Sequence, residues 1–276
     1  MPAGNRFPKI RTSLDSLVDF FVSVKRVRDE WQREDDLKAK QCGEKCEPTQ
    51  IWFRGQSKAG WPLKPKFYRF ADADENEIRS GFKSRASQLM TEPHLPQDEK
   101  GWYFLMQHYG APTRLLDWTD GALLGLYFAI RELKRPRDAA VWMLDPVWLN
   151  KLTLEDSYIT GVTIPEWKET DPWFPTPFEE DLHAKFPLAI DPPHVVRRAG
   201  VQRSRFTIFG TMKDGLTRIA AGKPKGRLVK MVVRRSGITQ ILKDLATCGI
   251  VETTVFPDLE GLSRELTREF GGKPKN

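Results

Sequence analysis

Residues 121–133 constrain the fold of this chain most strongly, because they are apolar on nearly every face. A helix without a polar face has to be buried in the middle of a domain. A basic turn follows, and residues 139–144 then form an apolar run of strand length. A buried helix next to a buried strand predicts a sheet that is covered by helices.

The rest of the chain adds helices and strands in an irregular order. Helices are predicted at residues 13–33 with Ser13 as N-cap, 75–90, 98–108 with Asp98 as N-cap, 236–246 and 259–270. Strands are predicted at residues 50–53, 206–209, 228–233 and 251–256. Since strands and helices do not alternate regularly, the sequence predicts an α+β fold with a central mixed or antiparallel sheet and flanking helices.

The chain divides into one main domain and two short flanks. With 276 residues and 39% hydrophobic content, it can bury a substantial core. Residues 1–48 supply the first amphipathic helix and a charged loop, which we expect to pack on that core. Residues 49–270 form the main domain, with an irregular insertion rich in Pro and Trp at about 145–195, and residues 271–276 form a tail.

The composition narrows the classes of function. The net charge of +7 gives a surface that attracts anionic ligands or is simply solvated. Cys42, Cys46 and Cys248 are too few for a disulfide framework and lack the second spacing of a zinc site, so we expect no metal and a reducing cytoplasm. No apolar run approaches the ~20 residues that cross a bilayer, so no membrane partner is expected.

The first candidate site is the tripeptide Phe53, Arg54 and Gly55, at the expected end of the strand at 50–53. A guanidinium held at a strand end can grip a phosphate or a carboxylate, and a glycine beside it lets a ligand approach the backbone. The alternative is a structural arginine that pairs with a carboxylate across the sheet.

The second candidate is the segment 107–119, in which Gly110 and Pro112 predict a sharp turn. The polar side chains that need partners there are those of His108, Thr113, Arg114, Asp117 and Thr119. Either a ligand supplies these partners, or the side chains pair with one another. In the second case Asp117 could pair with Arg114 or cap the helix that follows. We expect this segment to form one pocket with Arg54.

Four blocks of the sequence, in order, resemble the FRG domain family, which is named for its Phe-Arg-Gly tripeptide. They are residues 52–56, 107–119, 198–206 and 255–262. Family members often carry Gly-x-Phe after the glutamine of the third block, where this chain has Ser204, Arg205 and Phe206. The family is widespread in bacteria and phages, so the resemblance implies a role in conflict between them, in phage defence or as a toxin.

Residues 52–55 also resemble, more distantly, the first core strand of Arg-Ser-Glu-type ADP-ribosyltransferases, whose arginine holds the phosphates of NAD. This resemblance implies a split-sheet core, with NAD as the substrate. Those enzymes use a late glutamate to orient the nicotinamide ribose, and Glu252 is the candidate here. No Glu-x-Glu or Gln-x-Glu pair precedes a predicted strand in this chain, and the Ser-Thr-Ser motif of those enzymes is missing.

These resemblances imply two sets of site residues. The catalytic candidates are Glu252, His108 and Asp117. The candidates for binding NAD are Phe53, Arg54, Gly55, Gln56, Gln107, Tyr109, Thr113, Arg114 and Gln202. The favoured function is a NAD-consuming, ADP-ribosyltransferase-like enzyme with a nucleic-acid or protein acceptor; the alternative is a non-catalytic module that binds nucleic acid or protein through its basic surface.

Overall fold

The computed structural model describes residues 10–43, 45–89, 96–131, 137–156, 159, 161–162, 168–175, 184–191, 203–221 and 226–271. Its strands are β1 (Ile10–Leu14), β2 (Trp52–Gln56), β3 (Leu115–Thr119), β4 (Ala139–Leu144), β5 (Leu188–Ile190), β6 (Ser204–Ile208) and β7 (Leu228–Val233). They form one sheet in the order β1-β7-β4-β2-β3-β6-β5. Only β1 and β7 pair in parallel among these strands.

The helices lie on both faces of this sheet. They are α1 (Leu17–Cys42), α2 (Glu75–Leu89), α3 (Glu99–His108), α4 (Ala122–Ile130), α5 (Pro146–Thr153), α6 (Gly215–Ala221), α7 (Ile238–Thr247), α8 (Glu252–Val255) and α9 (Leu259–Phe270). Two short 3-10 turns occur at Phe67–Arg69 and Lys168–Trp173. The predicted α+β fold with a central mixed sheet and flanking helices is confirmed.

The two faces of the sheet carry separate cores. On one face, α1, α4 and α7 pack against side chains such as Val141 and Met143 of β4. On the other face, Trp142 and Leu144 pack against α5, α6 and the loop that contains Leu63. The alternation along β4 is that of a strand buried on both sides, which explains its continuous apolar sequence.

Helix α4 crosses β2 at very close range. A Cβ atom on Gly55 would lie 2.3 Å from the backbone nitrogen of Ala129, and one on Gly125 would lie 2.6 Å from Cβ of Phe53. The glycine of the Phe-Arg-Gly tripeptide therefore makes room for a helix. The packing of α4 by itself requires a glycine at position 55, and the expectation that this glycine also lets a ligand approach the backbone stays a prediction.

The sheet opens between β2 and β3. Strand β2 pairs with β4 at five positions, from Trp52 to Gln56, but with β3 only at Phe53 and Thr119. Strand β3 is in turn fully paired with β6, from Leu115 to Thr119. The backbone ladder is therefore interrupted between two central strands, next to Arg54.

The first helix begins later than predicted. Ser16, not Ser13, is its N-cap and accepts a hydrogen bond from the backbone nitrogen of Asp19 at 3.1 Å. Leu14 belongs to the edge strand β1, which the sequence did not predict. At the other end, α1 continues to Cys42, and Gly43 closes it with a positive φ of 71°.

Three other predictions on the site elements are wrong. Residues 251–256 do not form a strand, because residues 252–255 form helix α8. Residues 115–119 form β3, whereas the sequence predicted only a sharp turn in this segment. Arg54 lies inside β2 and not at its end, because the strand continues through Gly55 to Gln56.

The predicted insertion is only partly irregular. Its described residues include α5 and β5, neither of which was predicted. The three cysteines are free in this structure. No helix among the described residues is long and apolar enough to cross a membrane.

Candidate functional site

The opening in the sheet holds a cleft of about 260 Å³. Its lining residues come from four elements and are Phe53, Arg54, Gly55, Asp117, Trp118, Thr119, Phe128 and Ser204. The cleft is thus built by β2, β3, α4 and the start of β6. We refer to it below as the Arg54 cleft.

Arg54 is the cation of this cleft. Its guanidinium Nη1 donates to the main-chain carbonyl of Asp117 at 2.5 Å, and its Nε is buried without a hydrogen-bond partner. Burial lowers the pKa of Arg54, Asp117 partly opposes that shift, and the charge of Arg69 adds to it. An arginine stays protonated even so, which leaves a half-buried cation whose Nε is an unused donor.

Asp117 is the carboxylate of the cleft. Its Oδ2 lies 3.7 Å from Nη1 of Arg54, and its side chain is 57% exposed, while that of Arg54 is 16% exposed. The other four residues of β3 are buried. An exposed carboxylate in the middle of an interior strand requires that none of the described elements covers the sheet at this point.

A hydrogen-bond relay positions this carboxylate. Nε2 of Gln107 donates to Oδ1 of Asp117 at 2.9 Å, and the hydroxyl of Thr113 donates to Oε1 of Gln107. Thr113 in turn accepts from the backbone nitrogen of Leu115 at 3.2 Å. The end of α3 and the start of β3 therefore hold Asp117 in place beside Arg54.

Two residues of the predicted binding set are engaged elsewhere. Gln56 is buried, accepts from the indole of Trp142 at 2.8 Å and donates to the carbonyl of Pro62 at 3.1 Å. Arg114 is also buried and forms an ion pair with Glu75, with Nε and Oε2 2.8 Å apart. Both side chains hold the scaffold together and do not line the Arg54 cleft.

Glu252 lies outside the Arg54 cleft. Its carboxylate is 1% exposed and accepts hydrogen bonds from Tyr127 at 2.5 Å and from Arg264 at 2.8 Å. Arg268 and Arg131 contact it as well, at 3.0 and 3.4 Å. A carboxylate with four such partners joins α8, α9 and α4, and its oxygens are already occupied by protein donors.

Of the remaining predicted site residues, two lie near the hydrogen-bond relay and one lies outside the described residues. His108 is the last residue of α3, half-buried, with its ring 5.1 Å from that of Tyr109. Tyr109 is exposed, and neither residue lines the cleft. Gln202 lies outside the described residues, as does most of the block at 198–206.

Sequence reasoning missed two lining residues, Phe128 and Ser204. Phe128 is one of many apolar residues in a helix that seemed uniformly buried, and nothing in its spacing marks it. Its ring is backed by Phe256 at a centroid distance of 6.1 Å, so the late block at 255–262 does support a wall of the cleft. Ser204 pairs with Thr119 across β6 and β3, which only the strand register reveals.

Comparison with known proteins finds a family match for part of the chain. Residues 49–138 match the FRG domain. No curated protein matches, and no solved structure does. The matched region runs from just before β2 to just before β4, so it contains every lining residue of the cleft except Ser204 and does not contain Glu252.

Proposed function

Since residues 49–138 are an FRG domain, we propose that this domain is a NAD-consuming enzyme of the ADP-ribosyltransferase type, with the Arg54 cleft as its active site. The observation that carries the proposal is the pairing of a half-buried cation, Arg54, with an exposed carboxylate, Asp117, at an opening in the sheet. A cation can bind a phosphate, and a nearby carboxylate can stabilise positive charge on a sugar.

The size of the cleft supports part of a dinucleotide as its ligand. Its volume of about 260 Å³ lies just below the range of roughly 300–1,000 Å³ of ligand pockets. We propose that it takes the nicotinamide mononucleotide half, with the ring against Phe128 and the phosphate on Arg54. The rest of the molecule would then lie over the rim.

Asp117 takes the role of the catalytic carboxylate in this proposal. In the reaction, the bond from ribose C1′ to the nicotinamide nitrogen breaks, and its electron pair leaves with nicotinamide. Asp117 stabilises the positive charge that develops at C1′. An acceptor oxygen or nitrogen then bonds to C1′, and its proton passes to Asp117. Glu252 has no part in this step, because its oxygens are held by Tyr127 and three arginines.

The proposal is tested by measuring nicotinamide release from NAD with water, protein or nucleic acid as acceptor. We expect the wild type to release nicotinamide and Asp117→Asn to lower kcat by at least about 100-fold, since one charge at the reacting centre is lost. Asparagine can still accept the hydrogen bond from Gln107, so the fold should persist. Arg54→Lys should raise KM by about 10-fold, because a point charge replaces a planar fork of donors.

Asp214→Asn is the matched control for Asp117→Asn. Asp214 is equally exposed, at 57%, and also pairs with an arginine, Arg218 at 3.0 Å, but it lies outside the cleft. Its variant should keep wild-type release. If the wild type releases no more nicotinamide than Asp117→Asn, with any acceptor, the proposal is overturned.

The same variants extend the test into bacterial cells. Consumption of NAD would suit the role in conflict between bacteria and phages that the family resemblance implies, because an infected cell without NAD cannot support phage growth. Wild-type expression should lower cellular NAD and slow growth, whereas Asp117→Asn should do neither. Equal toxicity of both proteins would contradict this role.

A further inference from the structure

The loop that follows β2 has an unusual charge content. Residues 57–70, which we call the basic loop, contain four cations and no carboxylate. These cations are Lys58, Lys64, Lys66 and Arg69. Among the described residues none of them forms an ion pair with a carboxylate, although cations elsewhere, such as Lys83 and Arg218, do. The basic loop therefore carries uncompensated positive charge.

The basic loop borders the candidate site. The backbone nitrogen of Phe67 donates to the carbonyl of Thr113 at 3.1 Å, and the ammonium of Lys66 donates to the carbonyl of Gly110. These bonds fix the loop to the turn that holds Gln107 and Thr113 in the relay. The charge of Arg69 is also close enough to Arg54 to help lower its pKa, after the larger effect of burial.

Exposed aromatic side chains accompany these cations. Tyr109, beside the carbonyl that Lys66 contacts, is 64% exposed, and Phe70 at the end of the loop is 49% exposed. Trp61 is exposed as well, with the guanidinium of Arg137 5.5 Å from its ring centroid. Large aromatic rings that stand in water offer flat faces for stacking.

We propose that the basic loop and Tyr109 bind a single-stranded nucleic acid, with phosphates on the lysines and bases stacked on Tyr109 and Phe70. The combination of uncompensated cations with exposed aromatic rings is what single strands bind, since every unpaired base presents a π-face. An acidic polypeptide would use the charges but would leave the rings without partners. The bound nucleic acid would accept ADP-ribose from NAD in the Arg54 cleft. Only this acceptor role rests on the proposed function.

Binding is tested without NAD, by fluorescence anisotropy of a labelled oligonucleotide of about 12 nucleotides, a length within the usual site sizes for single strands. We expect saturable binding that weakens as salt rises, because bound phosphates release counterions. Single strands should bind more tightly than a duplex of the same length. Polyglutamate should not displace the oligonucleotide at equal charge concentration.

Two variants test the surface, each with a matched control. Lys58→Ala/Lys64→Ala should weaken binding by about 10- to 30-fold at moderate salt and reduce the magnitude of the salt slope by about 1.4. Its control is Arg26→Ala/Lys38→Ala, which removes two exposed charges from α1 on the other face of the sheet. Tyr109→Ala should weaken binding at least about 5-fold, whereas Phe270→Ala, which removes an exposed ring from α9, should have no effect.

The results separate this inference from the proposed function. If the oligonucleotide binds but no nicotinamide is released, nucleic-acid binding by the basic loop is supported and the proposed NAD-consuming activity is overturned. If nicotinamide is released but no oligonucleotide binds, the activity is supported and the nucleic-acid site is overturned. Transfer of a label from NAD to the oligonucleotide supports both the proposed activity and the nucleic-acid site. The inference is overturned if polyglutamate competes as well as the oligonucleotide, or if the loop variants bind like their controls.

Discussion

At the scale of single residues, Glu252 shows how position decides the role of a carboxylate. It is fully buried and accepts from Tyr127 and Arg264, with Arg131 and Arg268 also in contact. Asp117, in contrast, is exposed in an opening of the sheet. The buried carboxylate therefore holds helices together, whereas the exposed one can meet a substrate.

We predict that Glu252→Gln lowers the free energy of unfolding by about 3 kcal/mol, because the cations around it lose the charge that pairs them. Urea denaturation measures this change. The matched control is Glu260→Gln, since Glu260 also pairs with Arg264 but is exposed; its effect should stay below about 0.5 kcal/mol. Equal losses in the two variants would contradict the structural role of Glu252.

The stability that Glu252 contributes should depend on pH. Burial alone would raise the pKa of Glu252, but the hydrogen bonds from Tyr127, Arg264 and Arg268 and the charge of Arg131 together outweigh burial and lower it. A carboxyl whose pKa is lower in the folded state contributes stability above its unfolded value of about 4.3, and this is lost as pH falls through the folded value. The difference between wild type and Glu252→Gln should therefore be constant near neutral pH and shrink below about pH 4.

At the scale of elements, the contact of α4 with β2 shapes the site. Gly55 and Gly125 let the two backbones approach, and Phe128 of the same helix lines the cleft. The position of α4 therefore sets both the core and one wall of the candidate site.

We predict that Gly55→Ala destabilises the protein by about 1–3 kcal/mol or more, because the added methyl group would overlap the backbone of α4. Gly81→Ala is the control. Gly81 lies inside α2 with no atom within 4 Å of an added Cβ, so this variant should raise stability by about 0.5–1 kcal/mol. Thermal or urea unfolding of both variants measures the contrast, and a neutral Gly55→Ala would contradict the close contact.

Some elements could be predicted from the sequence and others could not. Helix α3 was found because Asp98 caps it, accepting from the backbone nitrogen of Gly101 at 2.6 Å. Helix α8 was mistaken for a strand, because the β-branched residues Thr253, Thr254 and Val255 favour strands. Tertiary packing overrides that preference: Glu252 is drawn into its arginine cluster, and Thr254 caps the backbone nitrogen of Val251 at 2.9 Å.

At the scale of the whole molecule, one buried arginine joins distant parts of the chain. Arg227, just before β7, contacts Asp145 after β4 at 2.7 Å and Asp35 of α1 at 2.6 Å. Burial raises the pKa of Asp145, although its hydrogen bonds with Trp148 and Arg227 oppose this. The network fastens the first helix to the centre of the sheet.

We predict that Arg227→Met lowers the free energy of unfolding by about 3–5 kcal/mol, because the buried charge of Asp145 is left without its partner. Arg218→Met is the control, since the Arg218–Asp214 pair is exposed and should contribute less than about 0.5 kcal/mol. Denaturant unfolding of both variants measures the difference. A loss for Arg227→Met no larger than that of its control would show that the network does not stabilise the fold.

The sequence by itself determined the α+β class, the buried pair of α4 and β4, and the two segments that contain Arg54 and Asp117. It could do so because periodicity, caps and turn residues report local structure and burial. Only the tertiary structure decided that Asp117 and not Glu252 faces Arg54, and that Gln56 and Arg114 belong to the scaffold. These outcomes depend on strand register, on the single pairing between β2 and β3 and on the approach of α4. Such contacts join residues far apart in sequence, and a local pattern shows that a side chain is buried but not which partner buries it.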